Sequence, residues 1–111
     1  MGIECRHTGS TCIVKPLERR MDARCASELR RELAELIAQG QQRIVLDVSD
    51  VDFIDSSALG AIVANFKALQ GKGDFVIAGA RAPVVSLFRV TRMDKVIRMF
   101  STPGDAVAAV A

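Results

Sequence analysis

Residues 43–60, RIVLDVSDVDFIDSSALG, decide the fold of this chain. The stretch opens with an apolar run at residues 43–48, which is typical of a strand that is buried on both faces. A turn-like segment, residues 49–52, comes next, and a helix opens within residues 53–60. The apolar residues of that helix fall on one helical face. They are Leu59, Ile62, Val63, Phe66 and Leu69. A buried strand that leads into a helix predicts an α/β fold with parallel strands.

The segments on either side continue the alternation of strands and helices. Upstream, residues 3–7 and 11–17 are rich in Ile, Val, Thr and Cys and flank a glycine–serine pair, which predicts a β-hairpin. Residues 21–37 have the period of an amphipathic helix, with Asp22 as its N-cap. Further along, the predicted elements are a strand at residues 75–78, a helix that begins near Pro83, a short strand within residues 96–100 and a helix at residues 103–110.

The predicted order of elements is therefore β-β-α-β-α-β-α-β-α, in a single domain over residues 1–111. Strand–helix alternation implies a parallel sheet with helical crossovers, and the opening hairpin adds an antiparallel pair. We expect an α/β fold with a mixed, mostly parallel sheet of four to five strands and about four helices.

Composition excludes several classes of function. The net charge of +2, from 15 basic and 13 acidic residues, is too balanced for a nucleic-acid-binding protein. No apolar run approaches the ~18–20 residues that cross a bilayer, so no membrane insertion is expected. The first residues lack the apolar core of a secretory signal. The three cysteines, Cys5, Cys12 and Cys25, have no CxxC spacing. We interpret them as reduced thiols in a cytoplasmic protein.

The sequence also predicts that the chain is not an enzyme and needs no cofactor or metal. Its one histidine, His7, lies in the predicted hairpin, and nothing in the pattern brings it to a serine as a Ser-His-Asp triad requires. A nucleophile elbow, a P-loop, a dinucleotide-binding glycine motif and an HExxH motif are all missing. A serine hydrolase that uses Ser56 or Ser57 remains a minor alternative, for which the sequence offers no activating base.

The polar cluster between strand and helix, with Asp52, Asp55, Ser56 and Ser57, has two interpretations. The first is structural: Asp55 or Ser56 caps the helix by accepting a backbone N–H. The second is functional, because loops at the carboxyl ends of parallel strands often carry the site in α/β folds. A hydroxyl in the first helical turn can be phosphorylated, and the helix N-terminus tolerates the added charge. Such a charge would displace a docked protein with little change in the fold.

At these residues the chain resembles a known family, the bacterial anti-sigma factor antagonists of the STAS group (sulphate transporter and anti-sigma factor antagonist). The resemblance is strongest in the strand at residues 44–48 and in the FIDSSALG run at residues 53–60. It covers nearly the whole chain. Further matching positions are Leu29, Leu33, Val76, Ile77, Leu87, Phe88, Val96 and Ile97. The resemblance implies a STAS-like domain.

The resemblance also implies a partner-switching mechanism. In the family, an anti-sigma factor that is an ATP-bound serine kinase binds the unmodified antagonist, phosphorylates it and thereby ends the interaction. A metal-dependent serine phosphatase restores binding. By position, Ser56 would be the phosphoacceptor, with Ser57 as second choice. The implied partner-binding residues are Asp22, Asp52, Asp55, Ser56, Ser57, Ala58 and Leu59. The ATP and magnesium belong to the kinase, and the free chain is expected to be a monomer.

Three positions depart from the family pattern. Ala58 stands where glycine usually follows the serine pair, and Arg19 and Arg92 stand at common glycine positions. Together with Arg20, these arginines predict a more basic partner-facing region than is usual. An alternative role is that of a STAS subunit in a lipid transporter or another regulatory assembly, without phosphorylation.

Overall fold

The computed structural model describes residues 2–111. Twelve short elements follow one another along the chain, and the strands and helices are numbered here in chain order. They are β1 (Ile3–Thr8), β2 (Thr11–Pro16), β3 (Arg20–Met21), α1 (Ala23–Ala38), β4 (Arg43–Asp47), β5 (Phe53–Ile54), α2 (Ser56–Leu69), β6 (Asp74–Ala78), α3 (Ala82–Val90), a 3-10 turn (Met93–Lys95), β7 (Met99–Phe100) and α4 (Pro103–Val110).

Five strands form the main sheet, in the order β1-β2-β4-β6-β7. The hairpin pair β1–β2 is antiparallel, and every other neighbouring pair is parallel. The sheet is therefore mixed and mostly parallel, and four helices accompany it. This confirms the predicted α/β fold class and the predicted alternation of strands and helices.

The core lies on both faces of this sheet, because successive strand residues point to opposite sides. On β4, Ile44 and Leu46 pack towards α1, α2 and α3, whereas Val45 packs towards α4. All three of these side chains are fully buried. The continuous apolar run in β4 thus reflects a strand that is covered on both sides, as its composition predicts.

A second, two-stranded sheet was not predicted. It pairs β3 with β5 in parallel, with Arg20 opposite Phe53 and Met21 opposite Ile54. The sequence placed the start of the helix only within residues 53–60, and this pairing sets it: residues 53 and 54 are held extended and α2 begins at Ser56. Two-residue strands are too short to leave a period in the sequence, and a distant segment decides their conformation.

The last strand is also shorter than expected. Val96 and Ile97 were predicted to belong to it, but their N–H groups both donate to the carbonyl of Met93 and close the 3-10 turn. Strand β7 is therefore restricted to Met99–Phe100. The side chain of Ile97 is nevertheless fully buried, so its apolar character serves the core rather than a strand.

Candidate functional site

The candidate site is the connection from β4 to α2, at the carboxyl edge of the main sheet. Asp55 has an extended backbone and caps α2, since its Oδ1 accepts the N–H of Ala58 at 2.9 Å. Ser56 and Ser57 are the first two residues of the helix, and both are exposed. Of the two capping residues that the sequence allowed, the structure therefore uses Asp55, and the Ser56 side chain faces solvent.

Ala58 and Leu59 require a correction. Both were assigned to the partner-binding surface, but Ala58 is fully buried and Leu59 is 9% exposed. Their side chains pack in the main core, with the strands of the sheet and the neighbouring helices. Their contacts with the core hold the first turn of α2 against the sheet, and the exposed surface of that turn is formed by Ser56 and Ser57.

Asp22 lies next to this turn because β3 and β5 run in parallel. The N–H of Asp55 donates to the carbonyl of Met21 at 3.0 Å, which places the starts of α1 and α2 side by side. Asp22 caps α1, with its Oδ1 accepting the N–H of Arg24 at 3.1 Å. Partial burial raises the pKa of Asp22, but the hydrogen bonds and the charge of Arg24 outweigh it, so the pKa lies below its usual value.

Asp52 is held between two arginines. Its Oδ2 accepts hydrogen bonds from Nε and Nη2 of Arg19 at 3.0 and 2.7 Å. Its Oδ1 accepts a hydrogen bond from Nη1 of Arg81 at 3.0 Å. Arg81 also donates from Nε to the carbonyl of Ser49 at 2.7 Å. The hydrogen bond from Arg19, followed by the charges of Arg19 and Arg81, lowers the pKa of Asp52. Asp52 is thus an ion-paired carboxylate and not a free acidic group.

Arg19 and Arg92, which were expected to stand at glycine positions of the resembled family, differ in their backbones. Arg92 has φ 61° and is the one non-glycine residue with positive φ within residues 2–111. Arg19 is not in this left-handed region. Its carbonyl accepts the N–H groups of Asp52 and Phe53 at 2.7 and 3.1 Å, so it joins the loop through the backbone.

Sequence reasoning missed two members of this site. Arg81 precedes α3, far along the chain from Asp52, and no local pattern marks such a pairing. Phe53 was included in the stretch that opens the helix, but it lies in β5, where the residue is 39% exposed and the centre of its ring lies 4.3 Å from the guanidinium carbon of Arg20. Its position opposite Arg20 follows from the β3–β5 pairing, which the sequence did not reveal.

The structure does not bring His7 to the serines. His7 pairs with Cys12, and Cys12 lies level with Ile44 at the start of β4. Ser56 follows the other end of β4. Within the described residues there is also no group of three or more His, Cys, Asp or Glu side chains arranged to hold a metal ion. No helix of residues 2–111 has the length and apolarity to span a membrane.

Comparisons with protein families, with curated proteins and with solved structures all point to the same family. The model of the STAS domain matches residues 3–106. The anti-sigma F factor antagonist of Paenibacillus polymyxa is 27% identical over 107 residues, which covers 95% of this chain and 91% of the relative. An anti-sigma factor antagonist from Mycobacterium paratuberculosis has the same fold with a TM-score of 0.90, at 24% identity over 98% of this chain and 92% of that one.

A third similar structure is the Bacillus cell fate determinant SpoIIAA in its phosphorylated form. Its TM-score is 0.77, at 18% identity over 99% of this chain and 100% of SpoIIAA. At such identities the solved structures establish the fold, and the family rests on the match of the domain model across nearly the whole chain. The chain belongs to the STAS domain family, whose members similar to it include anti-sigma factor antagonists.

Proposed function

We propose that the chain is an anti-sigma factor antagonist that binds an ATP-bound anti-sigma serine kinase and is released when Ser56 is phosphorylated. One observation carries the proposal: Asp55 caps α2, so that the Ser56 hydroxyl stands exposed at the first helical position. A serine that capped the helix itself would have its oxygen engaged by the backbone. The named relatives support the general role, and the phosphorylated SpoIIAA structure shares the fold.

The chain is the substrate of the proposed switch and not its catalyst. The Ser56 oxygen attacks the γ-phosphorus of kinase-bound ATP, the bond from that phosphorus to ADP breaks, and the hydroxyl proton leaves to a base of the kinase. The buried Ala58 and Leu59 hold the first turn of α2 in place. Phosphorylation therefore changes the charge of the surface without requiring the domain to refold. A metal-dependent phosphatase would restore the hydroxyl by hydrolysis.

A capture experiment with matched variants tests this function. Tagged wild-type chain and the Ser56→Ala variant should capture the kinase from a native lysate, and Ser56→Asp should not, because its charge imitates the modification. Thr8→Asp, in the hairpin at the other end of the sheet, is the control and should bind normally. The second candidate, Ser57, is tested by Ser57→Ala and Ser57→Asp in the same way.

Intact mass of the chain from native cells gives an independent readout. A fraction that is heavier by one phosphoryl group, and that disappears in Ser56→Ala, supports the switch. Equal capture of the same kinase by wild type and Ser56→Asp would reject it. A chain that binds other proteins and never carries phosphate would instead fit a STAS subunit of another regulatory assembly.

A further inference from the structure

We infer that the surface around Ser56 docks an acidic face of the partner protein. This rests on the proposed function, since it names the chemistry of the partner at the same site. The inference comes from four exposed arginines, which are called the arginine surface below. They are Arg19, Arg20, Arg24 and Arg81.

The arginine surface lies close to Ser56 because two elements are attached to the loop before α2. Arg19 is bonded through its carbonyl to the N–H groups of Asp52 and Phe53. Arg81 reaches the same loop from the other side, through Asp52 and the carbonyl of Ser49. Ser56 follows Phe53 by three residues, and three residues of extended chain span at most about 10 Å. This distance is about one Debye length at 0.1 M salt, so charges at the two positions still interact.

The acids of this region are turned inward or paired, whereas the arginines point outward. The side chains of Arg19 and Arg24 are 81% and 91% exposed, against 33% and 29% for Asp52 and Asp22. Asp22 caps α1 and its Oδ2 lies 3.5 Å from Nη2 of Arg24, so it offsets that guanidinium group, and Asp55 compensates the positive end of α2. Asp52 neutralises one of the two guanidinium groups that hold it.

Two further acids complete the balance of charge. Asp50 lies 3.8 Å from Lys15, so each offsets the other. Glu18 is half-buried and lines the clefts on both sides of Arg19. It therefore opposes the arginine surface. The charge that faces solvent beside Ser56 is nevertheless positive, because the four exposed guanidinium groups outnumber the carboxylates of Asp22, Asp52 and Glu18.

Exposed apolar groups favour a protein as the occupant. Leu17 is 47% exposed and Phe53 39%, and the ring of Phe53 supports Arg20. Arginine and aromatic side chains are the types enriched in protein–protein interfaces, where acidic groups of the partner complete the pairs. A nucleic acid is disfavoured, since the net charge of the chain is +2 and the surface offers one exposed ring for stacking.

The acidic partner explains how one phosphoryl group releases it. Phosphorylation adds a charge of about −1.5 to −2. At Ser56 this charge lies within about one Debye length of the arginine surface, where it offsets the positive charge and repels the carboxylates of the partner. Release then follows from electrostatics alone, without any movement of α2.

The kinase captured by the wild-type chain provides the first test. Its affinity for the wild type should fall roughly tenfold or more between about 50 and about 300 mM NaCl, because salt screens exposed charges. The double variant Arg20→Glu/Arg24→Glu should bind roughly tenfold or more weakly at low salt. Lys72→Glu makes the change in charge that each single substitution of the double variant makes, in the turn after α2, about 20 Å away along the helix, and should bind like the wild type. Glu18→Gln should bind more tightly.

The inference is wrong if the double variant binds the kinase as the Lys72→Glu control does, or if the wild-type affinity does not depend on salt. Both variants are first checked for wild-type circular dichroism and thermal midpoint. Residue 24 lies in the first turn of α1, where glutamate is favoured, so the double variant is expected to fold.

A second arm separates this inference from the proposed function. If no kinase binds the wild type, the proposed function is contradicted. Titration of the ¹⁵N-labelled chain with poly-L-glutamate then tests whether the arginine surface binds an acidic polypeptide. Amide shifts at the arginine surface support the acidic-partner inference, and shifts elsewhere or none overturn it. Binding of a DNA duplex at this surface when poly-L-glutamate does not bind would overturn it in favour of a nucleic-acid site.

Discussion

At the scale of single residues, the site depends on which side chain satisfies the helix N-terminus. Asp55 accepts the N–H of Ala58, and this contact leaves both serines in the exposed first turn. The sequence allowed either Asp55 or Ser56 as the cap, because both residue types cap helices well. Only the position of the backbone decides between them, and the β3–β5 pairing sets that position.

Removal of this cap should destabilise the domain measurably. Asp55→Ala is expected to cost about 1 kcal/mol of unfolding free energy, since one helix N–H loses its acceptor. Urea denaturation checks this, with Asp50→Ala as the control, because Asp50 makes an exposed pair at 3.8 Å that contributes little. Equal stability of the two variants would contradict the capping role.

Among residues 2–111, Arg92 is the residue whose backbone conformation is unfavourable for its type. It has φ 61° and ψ 18°, a region that glycine adopts freely and other L-residues adopt at a cost of roughly 1 kcal/mol. Arg92→Gly should therefore stabilise the domain by about 0.5 kcal/mol, after the greater entropy of unfolded glycine is subtracted. Arg31→Gly, in the middle of α1, is the matched control and should destabilise it by about 1 kcal/mol. Destabilisation by both would contradict the account of Arg92.

At the scale of elements, the long segments could be predicted, whereas the short strands β3 and β5 could not. The periodic helices and the apolar strand β4 were recognised because their side chains repeat over several turns or fill a buried strand. The two-residue strands β3 and β5, and the Arg81–Asp52 pair, were not, because each depends on a partner that is distant in sequence. These unpredicted contacts are the ones that bring Asp22 and the arginine surface to Ser56.

Two glycines in and after α2 should respond to alanine in opposite ways. A Cβ at Gly73 would overlap the backbone carbonyl oxygen of Gln42, which cannot move away without shifting the start of β4. Gly73→Ala should cost about 1–3 kcal/mol. Gly60 is exposed in α2 with open space around it, so Gly60→Ala should stabilise by about 0.5–1 kcal/mol. Thermal unfolding compares the two, and a neutral Gly73→Ala would contradict the close approach.

At the scale of the whole molecule, the contacts of Asp52 contribute both to the stability of the fold and to the proposed docking surface. Asp52 links the segment before α1, the loop before α2 and the start of α3 through its two arginines. The same contacts hold the arginine surface in place. A change in the charge of this carboxylate should therefore affect both the fold and the docking surface.

Acid should weaken the domain through Asp22 and Asp52. Both have a pKa below the usual value of 3.8, so the folded state holds their charged forms more strongly than the unfolded state does. Their contribution is present above the unfolded pKa and is lost as the pH falls through the folded value. Stability should thus decline as the pH falls below about 4. In Asp52→Asn the decline should be shallower and the neutral-pH stability lower, and an unchanged pH profile in this variant would contradict the pairing.

The central claim is that a phosphoryl group on Ser56 ends the interaction with the kinase, and reconstitution measures it most directly. The purified chain is incubated with the captured kinase and Mg-ATP, the phosphorylated residue is located by tandem mass spectrometry, and calorimetry compares the affinities of modified and unmodified chains. We predict phosphate on Ser56 and an affinity that is lower by roughly tenfold or more. Phosphate on another residue, or equal affinities of the two forms, would contradict the account.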